Sequence, residues 1–101
     1  MANRANIEDL LRLEYEEANK KYPMFASDHE GYAVLLEEVE EAIHELEIIQ
    51  YHMGTMWQNI KRNQDCNENL LQVKERAIRL IEETAQVGAM CIKAMDSRKR
   101  K

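Results

Sequence analysis

Apolar residues recur every seven positions along the middle of this chain. Tyr32, Val39, Leu46, Met53 and Ile60 form one row. Leu35 or Leu36, Ala42 or Ile43, Ile49, and Met56 or Trp57 supply a second apolar position in each heptad. A strand would alternate with a period of two; this period belongs to a helix carrying a bundle seam. Turn formers are scarce, with one proline and three glycines among 101 residues. A sandwich or barrel needs many turns, so an all-β fold has almost no room here. The length suits one domain. The expectation is an all-α bundle of three long helices, or four if Gly54-Thr55 interrupts the second. The helical domain should span residues 1–96, followed by a basic tail at 97–101.

The first helix is expected over residues 4–21, with Ile7, Leu10, Leu11, Ala18 and Tyr22 on one face and Asn6 as its cap. Pro23 ends it, because the residue before a proline avoids helical geometry. Ser27 and Glu30 form a capping box that starts the second helix. One glycine costs a helix only about 1 kcal/mol, which favours continuity through Gly54 to Arg62. A polar loop over residues 63–67 precedes the last helix, expected over 68–96. One row there is Leu70, Ala77, Thr84 and Cys91; the other is Val73, Leu80 or Ile81, Val87 or Gly88, and Ala94 or Met95. A second helix of about 35 residues would be roughly 50 Å long. A compact monomer of this size has a radius of gyration near ~13 Å. Its seam would overhang a monomeric core, so a homodimer or homotetramer is expected.

Charge separates along the chain. From Tyr22 to Ile60 there are eight acids and no lysine or arginine, while ten of the fourteen basic residues lie from Lys61 onward. The net charge of −5 argues against nucleic acid or an anionic membrane surface as partner. No apolar run approaches the roughly 18–20 residues of a membrane span, and the N-terminus lacks the apolar stretch of a secretory signal. Cys66 and Cys91 do not make a disulfide framework, which points to a reducing cytoplasm. Cys91 is expected to be buried on its seam and Cys66 to lie in a loop.

The carboxylates between Glu37 and Glu47 are denser than solubility requires. If Val39 and Leu46 face the seam, Glu38, Glu41 and Glu45 form a stripe beside it, with Glu37 and Glu40 further out. On the last helix Glu83 and Gln86 flank Thr84 as Glu38 and Glu41 flank Val39. Two such pairs facing each other repel unless a cation lies between them. Magnesium takes oxygen ligands and keeps waters for a phosphate-bearing substrate. The alternative is an acidic face that merely meets solvent.

At these residues the chain resembles a known family. Glu37-Glu38-Val39-Glu40-Glu41 matches the Glu-Glu-x-x-Glu motif of the all-α, MazG-like nucleoside triphosphate pyrophosphatases. Glu82-Glu83-Thr84-Ala85-Gln86 falls where that family has Glu-x-x-Asp. The strings HEGYAVLLEEVEEA at 29–42 and EETAQVGAM at 82–90 are similar to MazG-like proteins common in phages and in bacterial genomes carrying them. The resemblance covers residues 21–95. It implies hydrolysis of nucleoside triphosphates to monophosphate and pyrophosphate with Mg²⁺, or Mn²⁺, held by Glu38, Glu41, Glu83 and Gln86. Gln86 stands where the family has aspartate, and the gap between motifs is longer than usual. In that frame Glu37 or Glu82 would activate water, and Lys74, Arg76 or Arg79 would meet the outer phosphates. Trp57, Tyr32 or Phe25 would either stack on a base or fill the core.

Two rivals remain. Glu41-Ala42-Ile43-His44 is half of a di-iron Glu-x-x-His motif, but His44 should lie on the outer face. His29-Glu30 lacks the second histidine of a zinc protease motif. A non-catalytic helical oligomerisation protein would need none of this chemistry.

Overall fold

A computed structural model describes residues 3–99. Three helices form: α1 (Arg4–Lys21), α2 (Asp28–Lys61) and α3 (Asn67–Lys99). Asn3, rather than Asn6, caps α1, its side chain accepting from the Ala5 amide at 2.7 Å. Asn6 lies inside the first turn of the helix. The Ser27 hydroxyl accepts from the Glu30 amide at 3.2 Å and opens α2. That helix then runs 34 residues through Gly54 without a break. Nothing lies within 4 Å of the position a Gly54 side chain would take, so the glycine meets solvent. Asn63 takes φ 55° in the turn that follows, a left-handed conformation that asparagine tolerates.

α3 is the shared element: α2 packs along its length and α1 docks beside its C-terminal half. Leu11 lies over Gly88, where an added Cβ would come within 2.5 Å of a Leu11 methyl carbon. The Tyr15 hydroxyl donates to Asp96 at 2.5 Å. The buried apolar core is small, comprising Tyr15, Phe25, Ala85, Ala89 and Met90. α3 continues past Asp96: Ser97 is buried, accepts from the Phe25 amide at 2.9 Å and ties the 22–27 loop to the helix end. Of the expected basic tail, Arg100 and Lys101 lie outside the described residues.

The phase of both long helices differs from the heptad reading. Tyr32, Val39, Leu46, Met53 and Ile60 are all exposed, as are Leu70, Thr84 and Cys91. The rows one residue earlier face inward: Glu38, Glu45 and Asn59 on α2, and Asn69, Arg76 and Glu83 on α3. Of the second α2 row, Leu35, Ala42, Ile49 and Met56 are the half-buried members, while Leu36, Ile43 and Trp57 point out. The α2/α3 seam therefore alternates apolar with polar layers. Asn59 donates to Asn69 at 2.9 Å, Arg76 pairs with Glu45 at 3.1 Å, and Glu38 meets Glu83. Among the described residues, no helix is long and apolar enough to cross a membrane.

Candidate metal centre

The third polar layer holds two like charges. Glu38 and Glu41 lie one turn apart on α2, and α3 brings Glu83 opposite them. One carboxylate oxygen from each lies within 4.8 Å of the others. Three acids on two antiparallel helices of one chain thus share a space the size of a hydrated ion. Burial, reinforced by Glu41 and Glu37, raises the Glu38 carboxyl above its ordinary value. Glu83 rises from 4.5 to about 7, chiefly because it is desolvated. A hydrogen bond to Glu41 and the charges of Glu41, Glu38 and Glu45 add to this. A proton shared between carboxylates is what such a cluster adopts when no cation neutralises it.

The other expected site residues are distributed around this triad. Glu37 is exposed and lines the same open groove as Glu41 and Glu83. His44 is exposed, as expected of an outer-face residue, and stands at the edge of that groove. Glu82 lies on the far side of Glu83, in a second acidic groove with Arg79. Arg76 is engaged in the seam by both oxygens of Glu45, at 3.1 and 3.4 Å. Lys74 is exposed. Trp57 and Tyr32 are exposed, and Phe25 is in the core.

Gln86 has a partner that its sequence position did not announce. Its amide Nε2 donates to Glu14 on α1. The amide joins two helices and leaves one carbonyl oxygen for any other role. Lys93 also escaped the sequence reading. It sits on α3 two turns beyond Gln86, is only 3% exposed, and places Nζ 4.9 Å from the Phe25 ring centre. Its heptad position was legible, since Lys93 and Gln86 are seven apart on one face.

A metal would have to fit what is present. Three carboxylates on one space, two of them with raised pKa values, suit a hard divalent cation, which replaces the shared proton with two positive charges. Oxygen-only donors do not suit a soft metal. Comparison of the chain with family models, curated proteins and solved structures returns no match.

Proposed function

We propose that this protein is a Mg²⁺-dependent nucleoside triphosphate pyrophosphohydrolase of the MazG-like kind, working as a homo-oligomer in the cytoplasm. The observation that carries the reading is the convergence of Glu38, Glu41 and Glu83, the residues of both resembling motifs, within 4.8 Å. Glu38, Glu41 and Glu83 would hold the ion, with the Gln86 carbonyl as a neutral fourth ligand. The ion supplies charge neutralisation at phosphate oxygens. Glu37, exposed at the lip of the groove, is positioned to take a proton from water. Glu82 serves less well as that base, since it opens onto the neighbouring groove. Arg79, in that groove, is the cation best placed for outer phosphates; Arg76 already neutralises Glu45.

A second reading has its own observation. Arg76 and Gln86 are both held by glutamates, as expected of polar layers that set helix register. In that reading the protein is a structural helical oligomer.

Pyrophosphate release from a panel of nucleoside triphosphates with Mg²⁺ separates the two. The enzyme reading expects turnover that Glu38→Gln abolishes. Absence of both turnover and cation binding leaves the structural one.

A further inference from the structure

A cavity of about 370 Å³ opens where the end of α1 meets the α2/α3 groove. Glu38 lines it, so the cavity adjoins the carboxylate triad directly. Its walls are mixed: Tyr22, Phe25 and Met90 give flat or apolar surface, while Gln86, Glu30 and Lys93 give polar groups. A largely apolar pocket with a few fixed polar groups is how small organic ligands are held.

Lys93 is the unusual member. It is 3% exposed, and its ammonium lies 4.9 Å from the Phe25 ring centre and 5.9 Å from that of Tyr22. Among the described residues, no carboxylate lies within ion-pair distance of it. Burial lowers its affinity for the proton, and Glu30 only partly offsets this. A buried lysine without an ion-pair partner weakens a fold unless its donors are used. Methionine or leucine would fill the same volume at no such cost. The ammonium offers three donors and no acceptor, so it selects a ligand edge that accepts. Glu30, on the same cavity, offers only acceptors while ionised.

A flat ligand that presents an acceptor to Lys93 beside a donor to Glu30 is a nucleobase with a lactam edge: a carbonyl next to a ring N–H. Guanine, uracil and thymine have that edge. Adenine lacks the carbonyl, and cytosine carries an unprotonated ring nitrogen there. Lys93 is ten residues from Glu83 on α3, roughly 15 Å along the axis, about the span of an extended nucleotide. A base in the cavity would therefore carry its first phosphate to the triad.

We propose that this cavity is the base pocket of the site, Lys93 donating to a base carbonyl and Glu30 accepting from the neighbouring ring N–H, so that guanine, uracil and thymine nucleotides are bound in preference to adenine and cytosine ones. The inference rests on the nucleotide reading above, and names its substrate class.

The test uses the full chain and its Lys93→Met and Lys93→Arg variants. Calorimetry with Mn²⁺ measures affinity for GTP, UTP, TTP, ATP, CTP and inorganic triphosphate. Free guanosine, thymidine and adenosine are titrated separately in metal-free buffer, with the Phe25 and Met90 resonances as reporters. Wild type should favour the lactam bases by about tenfold, equivalent to ~1.4 kcal/mol. Lys93→Met should erase that preference, keep its Mn²⁺ affinity and melt no lower than wild type. Lys93→Arg should retain part of the preference. Equal affinity for all bases in wild type overturns the inference while Mn²⁺ binding leaves the enzyme reading intact. So does a Lys93→Met loss that is uniform and extends to inorganic triphosphate, which would make Lys93 a phosphate contact. If Mn²⁺ does not bind but guanosine and thymidine shift the reporters and adenosine does not, the pocket stands and the pyrophosphohydrolase reading falls. No binding in either experiment removes both.

Discussion

Glu83 holds its proton more tightly in the folded chain than in the unfolded one, with its value raised from 4.5 to about 7. A group shifted upward contributes stability that is fully present below its unfolded value. That contribution is lost as pH rises through the folded value. Glu83 therefore weakens the fold as pH climbs from about 4.5 to about 7. Thermal melts in chelator should show falling stability between about pH 5 and about pH 8. Mn²⁺ should flatten that slope by replacing the proton, and Glu83→Gln should remove both the slope and the cation effect. A flat chelator profile would mean the three carboxylates do not share their space in solution. Gln86 gives a prediction of opposite sign. Gln86→Asp deletes the amide donor to Glu14 and sets a second carboxylate beside it. The metal-free variant should lose about 1–3 kcal/mol in denaturant unfolding, with a saturating cation recovering part of the loss. Equal stability of the two proteins would mean that the Glu14 contact contributes nothing.

At the scale of helices, the chain's periodicity was legible and its phase was not. Pro23, the Ser27 cap and the polar run after Arg62 mark the helix ends, and the structure follows them within a few residues. The heptad pointed to Tyr32, Val39 and Leu46 as the inward row because they are the larger apolar residues. The chain instead turns Glu38, Glu45 and Asn59 inward, one residue earlier. Asn69, Arg76 and Glu83 turn inward opposite them, and a polar layer is satisfied only when both partners arrive together. Such pairing joins residues far apart in the chain: Asn59 to Asn69, Glu45 to Arg76 and Glu38 to Glu83. Nothing local announces it. Both rows moved by the same one-residue step, so Glu38, Glu41 and Glu83 stayed together and their grouping was readable despite the wrong phase. The Gln86–Glu14 bond depends on how α1 docks, and the burial of Lys93 on the Tyr22 and Phe25 rings of the loop that follows; the seven-residue spacing of Gln86 and Lys93 gives their shared face and not these partners. Glycines test the elements separately. Gly54→Ala should stabilise α2 by about 0.5–1 kcal/mol in chemical denaturation, since the site is open and helical. Gly88→Ala should destabilise by about 1–3 kcal/mol, because Leu11 must give way. If both substitutions acted alike, α1 would not be seated on α3 as described.

The whole molecule is long and thinly cored. Its extents are 61 × 28 × 20 Å and its radius of gyration is 17.5 Å, against about 13 Å for a compact chain of this length. It exposes 7629 Å², whereas a compact monomer of its mass exposes roughly 5,900 Å². The surplus of roughly 1,700 Å² is of the order that a stable interface removes from water. Much of it lies along α2, where Tyr32, Val39, Leu46, Met53 and Trp57 face outward. Assembly of copies through that row is the expected state, and sedimentation at micromolar concentration should report a dimer or tetramer. Leu46→Lys, which places a charge mid-row, should shift that species toward monomer while leaving the triad assembled. The central claim is that Glu38, Glu41 and Glu83 form one cation site, and titration calorimetry of Mn²⁺ into the metal-free protein addresses it most directly. The account predicts one saturable site per chain, accompanied by proton release near neutral pH as Glu83 ionises, and lost in Glu83→Gln. Binding that survives Glu83→Gln unchanged, or no binding at all by the wild-type chain, would contradict it.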